Sequence, residues 1–339
     1  MGLLSVDPTH PEPARIQRAA DALREGRLVA FPTETVYGLG AHALDPRAIA
    51  RIYAAKGRPS YNPLIVHVLD ADHGRRLTRA WPALAEALCR AFWPGPLTLV
   101  LPKRPEVPDL ATAGLPSVAL RAPAHPVARA LLEAADLPIA APSANRSQGV
   151  SPTTAAHVLR SLGARAPLIL DAGPSAVGIE STVLDLCGAR PVLLRPGGLP
   201  IPSIEAVVGP LLRADAALHE GVVLHEGVAR PSPGMLDRHY APGAALYLLD
   251  PGAALSARLS GLAGPVGLIS HVPAVFDELD GLGIDHPLSL PADPEGYART
   301  LYAALHTLDE LDCATILITR VPALPAWAAI ADRLERAAR

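Results

Sequence analysis

The chain has little of several residue types, and each shortage excludes a class of protein. Aromatic residues make up only 4% of its 339 residues, too few for a surface that stacks nucleic-acid bases. The three cysteines form no C-x-x-C pair, so we expect reduced thiols and a cytoplasmic protein. No segment has the pattern of a signal peptide or a membrane span. The net charge of −3 gives no overall attraction to nucleic acid or to anionic membranes.

Lysine is also scarce: the chain has two lysines, Lys56 and Lys103, and its other basic residues of the Lys/Arg type are all arginine. A lysine retained in such a chain indicates a position that needs a compact charge rather than a planar fork. Lys56 and Arg58 lie on either side of a glycine, between a predicted helix and the apolar run LIVHV. Taken alone, the pair also fits a solvated helix C-terminus favoured by the helix dipole.

The pattern of apolar residues predicts an α/β protein with two domains, the usual division for this length. In residues 1–212, strands sometimes follow one another without a helix, which favours a mixed sheet. Residues 213–243 are loop-like, with three prolines and no useful periodicity, so we interpret them as a linker. In residues 244–339, strands and helices alternate, which predicts a smaller, doubly wound parallel sheet of Rossmann-like type.

The individual elements follow from periodicity, caps and breakers. The predicted strands span residues 28–31, 64–69, 97–101, 117–121, 138–141, 168–171, 182–186, 192–195, 246–249, 266–269, 288–290 and 315–318. The predicted helices span residues 12–26, 46–57, 82–92, 126–135, 152–162, 253–262, 273–282, 296–311 and 326–338.

Several segments at strand ends have the chemistry of a polyphosphate site. The loop APSANRSQGVSPTT offers hydroxyl and amide groups, and its Ser151-Pro152 is predicted to open a helix whose free N–H groups suit phosphate. GIESTVLD places Ser181 and Thr182 at a strand edge, and LRPGG ends a strand with Arg195. Ordinary turn and capping chemistry explains each segment equally well by itself. Motifs for a P-loop, a dinucleotide fold, a hydrolase elbow or a zinc protease do not occur.

Seven segments in order carry a resemblance to a known family: FPTETVYGLG, KGRPSYNPLIVHV, PGPLTLVL, SVALRAPAHP, PIAAPSANRSQGVSPTT, GIESTVLD and LRPGG. Together they resemble the YrdC-like threonylcarbamoyl-AMP synthases. The segment SPGMLDRHYAP and the tail resemble the long, two-domain form of that family. The likeness is specific over residues 28–198 and looser after Pro242.

The resemblance implies a fold and a reaction. The fold is a twisted, mixed, open sheet around a concave basic cavity, followed by a linker that closes over it and a smaller domain. The reaction joins L-threonine, bicarbonate and ATP into threonylcarbamoyl-AMP and pyrophosphate, with Mg²⁺ held mainly by the phosphates. The product would pass to the machinery that modifies the tRNA adenosine beside the anticodon. Direct tRNA binding stays open.

The resemblance also implies which residues bind each substrate. The threonine-binding positions are Thr35, His67, Arg121 and Ser181. The ATP-binding positions are Lys56, Arg58, Asn62, Ser117, Ala141, Ser143, Asn145, Ser151, Arg195, His239 and Tyr240. Lys56 and Arg58 are the implied catalytic residues, since they would offset charge on the departing pyrophosphate. No residue is expected to hold a metal by itself.

The sequence departs from the family pattern at Tyr61, where a smaller or polar residue is expected, and near Trp327, where glycines are missing. Three alternatives follow from the same residues. The cavity could bind RNA directly, which a steep salt dependence would reveal. A related domain occurs in carbamoyl-transferring hydrogenase maturation proteins, although those carry zinc-finger cysteines. The second domain could be a lid, a regulatory unit or a partner-docking unit.

Overall fold

The computed structural model describes residues 2–213, 239–250, 259, 262, 264–279 and 281–339. The predicted linker 213–243 therefore lies mostly outside the described residues, and so does most of the helix predicted over 253–262. The domain boundaries stay predictions. None of the helices within these ranges is both long and apolar enough to cross a membrane.

Local sequence signals explain where the helices begin and end. Asp45 caps the second helix, because its carboxylate accepts a hydrogen bond from Arg47 N at 2.8 Å and proline occupies the first helical position. Gly57 ends that helix at φ 61°, in the left-handed region that favours glycine. The described α-helices are α1 Pro13–Arg24, α2 Pro46–Lys56, α3 Ala71–Arg75, α4 Ala83–Phe92, α5 Asp109–Thr112, α6 Pro126–Ala135, α7 Ala155–Leu162, α8 Ile201–Val208, α9 Pro294–Glu310 and α10 Ala328–Ala337.

The described strands form two separate sheets. They are β1 Gly2–Ser5, β2 Val29–Phe31, β3 Gly38–His42, β4 Ile65–His67, β5 Leu97–Pro102, β6 Ser117–Arg121, β7 Ile139–Ala140, β8 Leu168–Asp171, β9 Thr182–Asp185, β10 Val192–Arg195, β11 Leu212–Arg213, β12 Ala245–Leu249, β13 Val266–Ser270, β14 His286–Ser289 and β15 Thr315–Thr319.

The large sheet has eleven strands in the order β1-β8-β2-β3-β7-β4-β6-β5-β9-β10-β11, with parallel and antiparallel pairs. The small sheet has the order β12-β15-β13-β14, and its neighbours are all parallel. Both findings confirm the predicted mixed sheet followed by a smaller parallel one. We call the two parts the large-sheet region, up to residue 213, and the small-sheet region, from residue 244.

The topology brings several strand ends to one edge of the large sheet. Strands β4 and β6 are parallel, and His67 pairs with Arg121 at their carboxyl ends. Strand β9 runs antiparallel to these strands, since it is parallel to β5 and β5 is antiparallel to β6. Ser181, just before β9, and Arg195, at the end of the antiparallel β10, therefore lie at that same edge.

The two regions share a hydrophobic core. Val36, Val150 and Ile179 of the large-sheet region are buried in one cluster with side chains of α9, including Tyr297 and Leu301. Two further clusters pack around the large sheet, one with α2 and α4 and the other with α1 and α6. Burial of apolar side chains across the boundary holds the two regions against each other.

Two predicted helices need correction, and several observed elements were not predicted. The helix predicted from Ser151-Pro152 begins at Ala155 instead, because the Thr154 hydroxyl caps it by accepting from His157 N. The segment predicted as a helix over 273–282 contains a 3₁₀ helix at Pro273–Glu278 instead, in which Val275 N donates to Val272 O three residues earlier. Strand β3 was not predicted, because the glycines of GLGAH weaken any strand signal.

Candidate active site

A pocket opens over the large sheet where these strand ends meet. It runs along β4, from His67 and Arg121 at one end to Ile65 and the loop after β7 at the other. Its volume is about 50 Å³. The residues that line it are Thr33, Thr35, Val36, Gly38, Arg58, Ile65, His67, Arg121, Ala141, Pro142, Ser143, Glu180, Ser181, Arg195, His239 and Tyr240.

Arg121 is the cation at the β6 end of the pocket. It is buried, pairs with Glu34 at 2.7 Å and donates from Nη1 to the Thr35 hydroxyl at 2.8 Å. The Thr35 hydroxyl in turn lies 2.8 Å from that of Thr33. This arrangement fixes a planar guanidinium in the pocket wall, with the geometry that suits a carboxylate.

His67 supplies a neutral imidazole beside Arg121. Burial, followed by the charge of Arg121, lowers the pKa of His67 to about 3, so the ring is uncharged at neutral pH. Its Nδ1 is buried and has no hydrogen-bond partner among the residues that the structure describes, and the ring packs edge-on against Phe31 at 5.9 Å. An unpartnered buried nitrogen in a polar pocket is suited to accept a hydrogen bond from a ligand.

Lys56 is the last residue of α2 and Arg58 follows the helix, but their side chains point to different places. Arg58 lines the pocket and donates to the backbone oxygens of Asn62 at 3.1 Å and Pro63 at 2.7 Å. Burial lowers its pKa to about 10, which leaves it charged at neutral pH. Lys56 lies behind the loop that follows β7, where its ammonium donates to Ser143 O at 2.6 Å and to Asn145 O.

That loop, residues 143–151, is tied down by its own amide side chain. Asn145 Nδ2 donates to Arg146 O at 2.9 Å and to Gly149 O at 2.7 Å. Ser147 N donates to Lys56 O at 2.9 Å, so the loop and the end of α2 are bound in both directions. The Lys56 ammonium and this loop form one rigid wall, which presents Ser143 to the pocket.

Arg195 and Ser181 form the wall on the β9–β10 side. Arg195 Nη2 donates to Ser181 O at 2.9 Å and lies 3.3 Å from its hydroxyl. The Ser181 hydroxyl is also 2.8 Å from that of Thr98. Gly197 lets these strands approach closely, because a Cβ there would lie 2.3 Å from the Ser181 carbonyl carbon.

His239 and Tyr240 close the pocket from the side of the small-sheet region. Ala241 N donates to Gln148 O at 2.9 Å, which places this segment against the 143–151 loop. Tyr240 adopts φ 62° and is buried. Burial first, and then the nearby cations, lower the pKa of His239 to about 3, although Glu180 opposes that shift.

Two family models and several known proteins are similar to this chain over nearly its whole length. The Sua5/YciO/YrdC family model, whose description reads "Telomere recombination", matches residues 21–197. The model described as "Threonylcarbamoyl-AMP synthase, C-terminal domain" matches residues 201–339. A threonylcarbamoyl-AMP synthase of Pyrococcus abyssi is 42% identical over 331 residues, which cover 95% of this chain and 94% of that protein. The chain belongs to the threonylcarbamoyl-AMP synthase family.

Two further relatives of the family support this assignment. A threonylcarbamoyl-AMP synthase of Bacillus subtilis is 43% identical over 328 residues, covering 96% of this chain and 93% of that protein. The crystal structure of Pyrococcus abyssi Sua5 complexed with L-threonine matches with a TM-score of 0.90 and 41% identity. That match covers 100% of this chain and 98% of the other. The predicted fold and family are therefore confirmed.

Most positions that the family resemblance implied come together in the pocket, while others lie behind its walls. Those in the lining are Thr35, Arg58, His67, Ala141, Arg121, Ser143, Ser181, Arg195, His239 and Tyr240. Those outside the lining are Lys56, Asn62, Ser117, Asn145 and Ser151. Ser117 shares the sheet face of Arg121 but begins the strand that Arg121 ends. The Asn62 side-chain amide is buried and has no partner within the described part of the chain. The substrate assigned to each position stays a prediction.

Sequence reasoning missed Glu180, the acidic residue in the pocket lining. Its carboxylate accepts hydrogen bonds from Ser151 at 2.6 Å, from Tyr302 at 3.0 Å and from Arg333 at 2.8 Å. The motif GIESTVLD contained it, but two of its partners lie more than a hundred residues away in the chain. No local pattern links such distant residues, so only the fold could identify it.

Proposed function

We propose that this protein synthesises L-threonylcarbamoyl-AMP from L-threonine, bicarbonate and ATP with release of pyrophosphate. The observation that carries the proposal is the convergence of three buried arginines, Arg58, Arg121 and Arg195, on one narrow pocket. Buried cations are costly unless an anionic ligand or partner compensates them. Arg121 already has such a partner in Glu34, and the pocket that the three arginines line would bind a carboxylate at one end and a triphosphate at the other.

The threonine would lie at the β4–β6 end. Arg121 would bind its carboxylate in a bidentate manner, with Thr35 beside it. Neutral His67 would accept a hydrogen bond from the ammonium or hydroxyl group through Nδ1. A neutral ring avoids repelling the ammonium, which is why the low pKa of His67 fits this position.

The triphosphate would enter past Ala141 and Ser143, and most of the ATP would lie outside the pocket, whose volume of about 50 Å³ is too small for a nucleotide. The threonine ammonium first loses a proton, and the neutral amine then adds to carbon dioxide with loss of a second proton, or to bicarbonate with loss of water, to give a carbamate. The carbamate oxygen attacks the α-phosphate. Pyrophosphate leaves, and the charge on its oxygens would be offset by Arg58 and Arg195. Lys56 would act from behind by fixing the 143–151 loop. The protein thus contributes position and charge, as in other phosphoryl and nucleotidyl transfers.

Magnesium would arrive with the triphosphate. Among the described residues no group of three His, Cys, Asp or Glu side chains is arranged to hold a metal ion. Glu180, in the pocket lining, is already engaged by an arginine. The pocket therefore fits a Mg²⁺ ion that is bound mainly by the phosphate oxygens of ATP and that would neutralise the charge of those oxygens.

The buried position of the arginines also bears on the RNA-binding alternative. A groove that follows a nucleic-acid backbone needs exposed cations along its surface. Arg58, Arg121 and Arg195 are each less than 9% exposed. Delivery of the product to the tRNA-modifying machinery in the cytoplasm stays part of the proposal.

The test is pyrophosphate release from ATP, measured with and without threonine and bicarbonate. We expect release only when both are present. Arg58→Ala should lower it by about 100-fold or more, the scale of removing a charge-stabilising group. Release that does not depend on threonine would contradict the proposal, as would full activity of a folded Arg58→Ala variant.

A further inference from the structure

Glu34 is the acid beside Arg121, at the end of the pocket where threonine is proposed to bind. Its side chain is 11% exposed, and its Oε2 accepts a hydrogen bond from Ala124 N at 3.1 Å. Its backbone is also tied down, because Val177 N donates to Glu34 O at 2.7 Å. The carboxylate therefore has a fixed position next to the guanidinium of Arg121.

The contact between the two side chains compensates charge without using all the donors of Arg121. Glu34 Oε1 lies 2.7 Å from Arg121 Nη2, but neither atom makes an aligned hydrogen bond with any residue that the structure describes. Arg121 Nε donates to Gly95 O at 3.3 Å, and Nη1 donates to the Thr35 hydroxyl at 2.8 Å. A guanidinium carries a single N–H on Nε and a pair on each Nη. The N–H groups of Nη2 and the second N–H of Nη1 thus stay available to the carboxylate of a ligand.

The charge of Arg121 is balanced at this end of the pocket. The two histidines nearby add no counter-charge. Burial and then Arg121 lower the pKa of His67 to about 3. Burial also lowers the pKa of His125, although Glu34 opposes that shift, so this ring is largely uncharged at neutral pH as well. The cation of Arg121 and the anion of Glu34 therefore set the local field.

A balanced pair of this kind discriminates between ligands. A zwitterionic amino acid places its carboxylate on Arg121 and offers an ammonium group that the charge of Glu34 attracts. A ligand with a carboxylate or a phosphate but no ammonium group is attracted by Arg121 and repelled by Glu34. Specificity in binding commonly depends on such a repulsive element as well as on the attractive one.

We propose that Glu34 is a specificity-determining residue, which makes this end of the pocket select a zwitterionic amino acid over a plain anion. Glu34 does not line the pocket, so it acts through Arg121 and through its own field. The proposal rests on the proposed function and deepens it. It gives one narrow pocket a means of keeping the phosphates of ATP out of the threonine end.

The experiment measures two ligands by calorimetry on the full-length chain. One is L-threonine, and the other is the 3-hydroxybutanoate of matching configuration, which has the carbon skeleton of threonine without the ammonium group. Glu34→Gln keeps the size of the side chain and an acceptor oxygen for Ala124 N, but it removes the charge. Because a like charge next to a bound anion is costly, we expect Glu34→Gln to lower the Kd of 3-hydroxybutanoate by about tenfold. Threonine should gain no affinity, since it loses the attraction on its ammonium group together with the repulsion on its carboxylate.

Glu86→Gln is the matched control. Glu86 is also a glutamate of the large-sheet region that pairs with arginines, Arg75 and Arg90, but it does not line the pocket or contact Arg121. It should leave the Kd of both ligands unchanged. The wild-type chain gives a further test without any substitution, because threonine should bind at least about tenfold more tightly than 3-hydroxybutanoate.

Several results would overturn the proposal. An unchanged ratio of the two Kd values in folded Glu34→Gln contradicts it, and so does an equal loss of affinity for both ligands, which indicates a merely structural role. If Glu34→Gln does not fold, equal affinity of the wild-type chain for the two ligands still refutes the selection. A wild-type chain that binds neither ligand would instead contradict the proposed function itself, so the two failures give different results.

Discussion

At the scale of single residues, Lys56 shows why identity matters more than charge. Its ammonium donates to two backbone oxygens of the 143–151 loop and lies 3.4 Å from Asn145 Oδ1. Burial, and then the charge of Arg58, push its pKa well below the ordinary lysine value. A compact ammonium fits among three converging oxygens, whereas a planar guanidinium is wider and directs its donors in fixed directions.

We therefore expect Lys56→Arg to lower threonine-dependent pyrophosphate release by about tenfold or more, since displacement of a positioned group by about 1 Å can cost more than that. The measurement is kcat/KM for ATP. Lys103→Arg is the control, because Lys103 is also buried and also donates to a backbone oxygen, that of Val107, but does not line the pocket. If Lys56→Arg and Lys103→Arg were equally active, the site would not need the compact shape of the lysine ammonium at position 56.

At the scale of elements, the site depends on how closely β9 and β10 approach. Gly197 follows β10 and packs against the backbone of residues 180–182. A Cβ at this position would lie within 2.4 Å of Glu180 O and Thr182 N, distances that only a backbone shift could relieve. Any such shift moves Ser181 and Arg195 together.

We expect Gly197→Ala to lower the free energy of unfolding by roughly 1–3 kcal/mol or more, the usual cost of overpacking, and to reduce turnover. Thermal unfolding and the pyrophosphate assay measure the two effects. Gly188→Ala provides the matched control, because the nearest atom to its Cβ would be Arg190 O at 3.9 Å, an ordinary contact. An unchanged Tm for Gly197→Ala would show that the strands are free to move apart.

At the scale of the whole molecule, the two regions also meet through stacked histidines. The rings of His157 on α7 and His306 on α9 lie 3.9 Å apart, and His306 Nε2 is 3.1 Å from Ser151 O. Burial lowers the pKa of His306 to about 4, with Arg160 lowering it further and Ser151 and Glu310 opposing. His157 is lowered to about 3 by burial, then by His306 and Arg160.

Because the folded-state pKa of His306 lies below its unfolded value of about 6.5, the unfolded chain binds the extra proton in between, and stability falls as pH drops through that window. At pH 5 this amounts to about 2 kcal/mol for His306. We expect His306→Gln to weaken the pH dependence of the unfolding free energy between pH 7 and pH 5, because the variant takes up about one proton fewer on unfolding. The exposed His10→Gln serves as the control, and equal slopes for wild type and His306→Gln would contradict the prediction.

Much of the fold was predictable because its signals are local. The proline-led start of α6 at Pro126, the cap at Asp45 and the stop at Gly57 each depend on a few neighbouring residues. Strands β6, β8 and β10 have the predicted bounds, since their apolar runs end at clear polar or proline boundaries. The start of α7 was misplaced because two hydroxyl residues competed for the cap and Thr154 forms it.

The sequence by itself determined the family, the class of reaction and the groups of cation and hydroxyl side chains, because short ordered motifs carry them. Only the tertiary structure decided which of these groups face one pocket and that Lys56 supports the loop from behind. It also decided that a carboxylate of β9's leading segment is held by an arginine 153 positions further on. Contacts between distant residues arise from packing of the two sheets and their helices, and no local pattern in the chain encodes them.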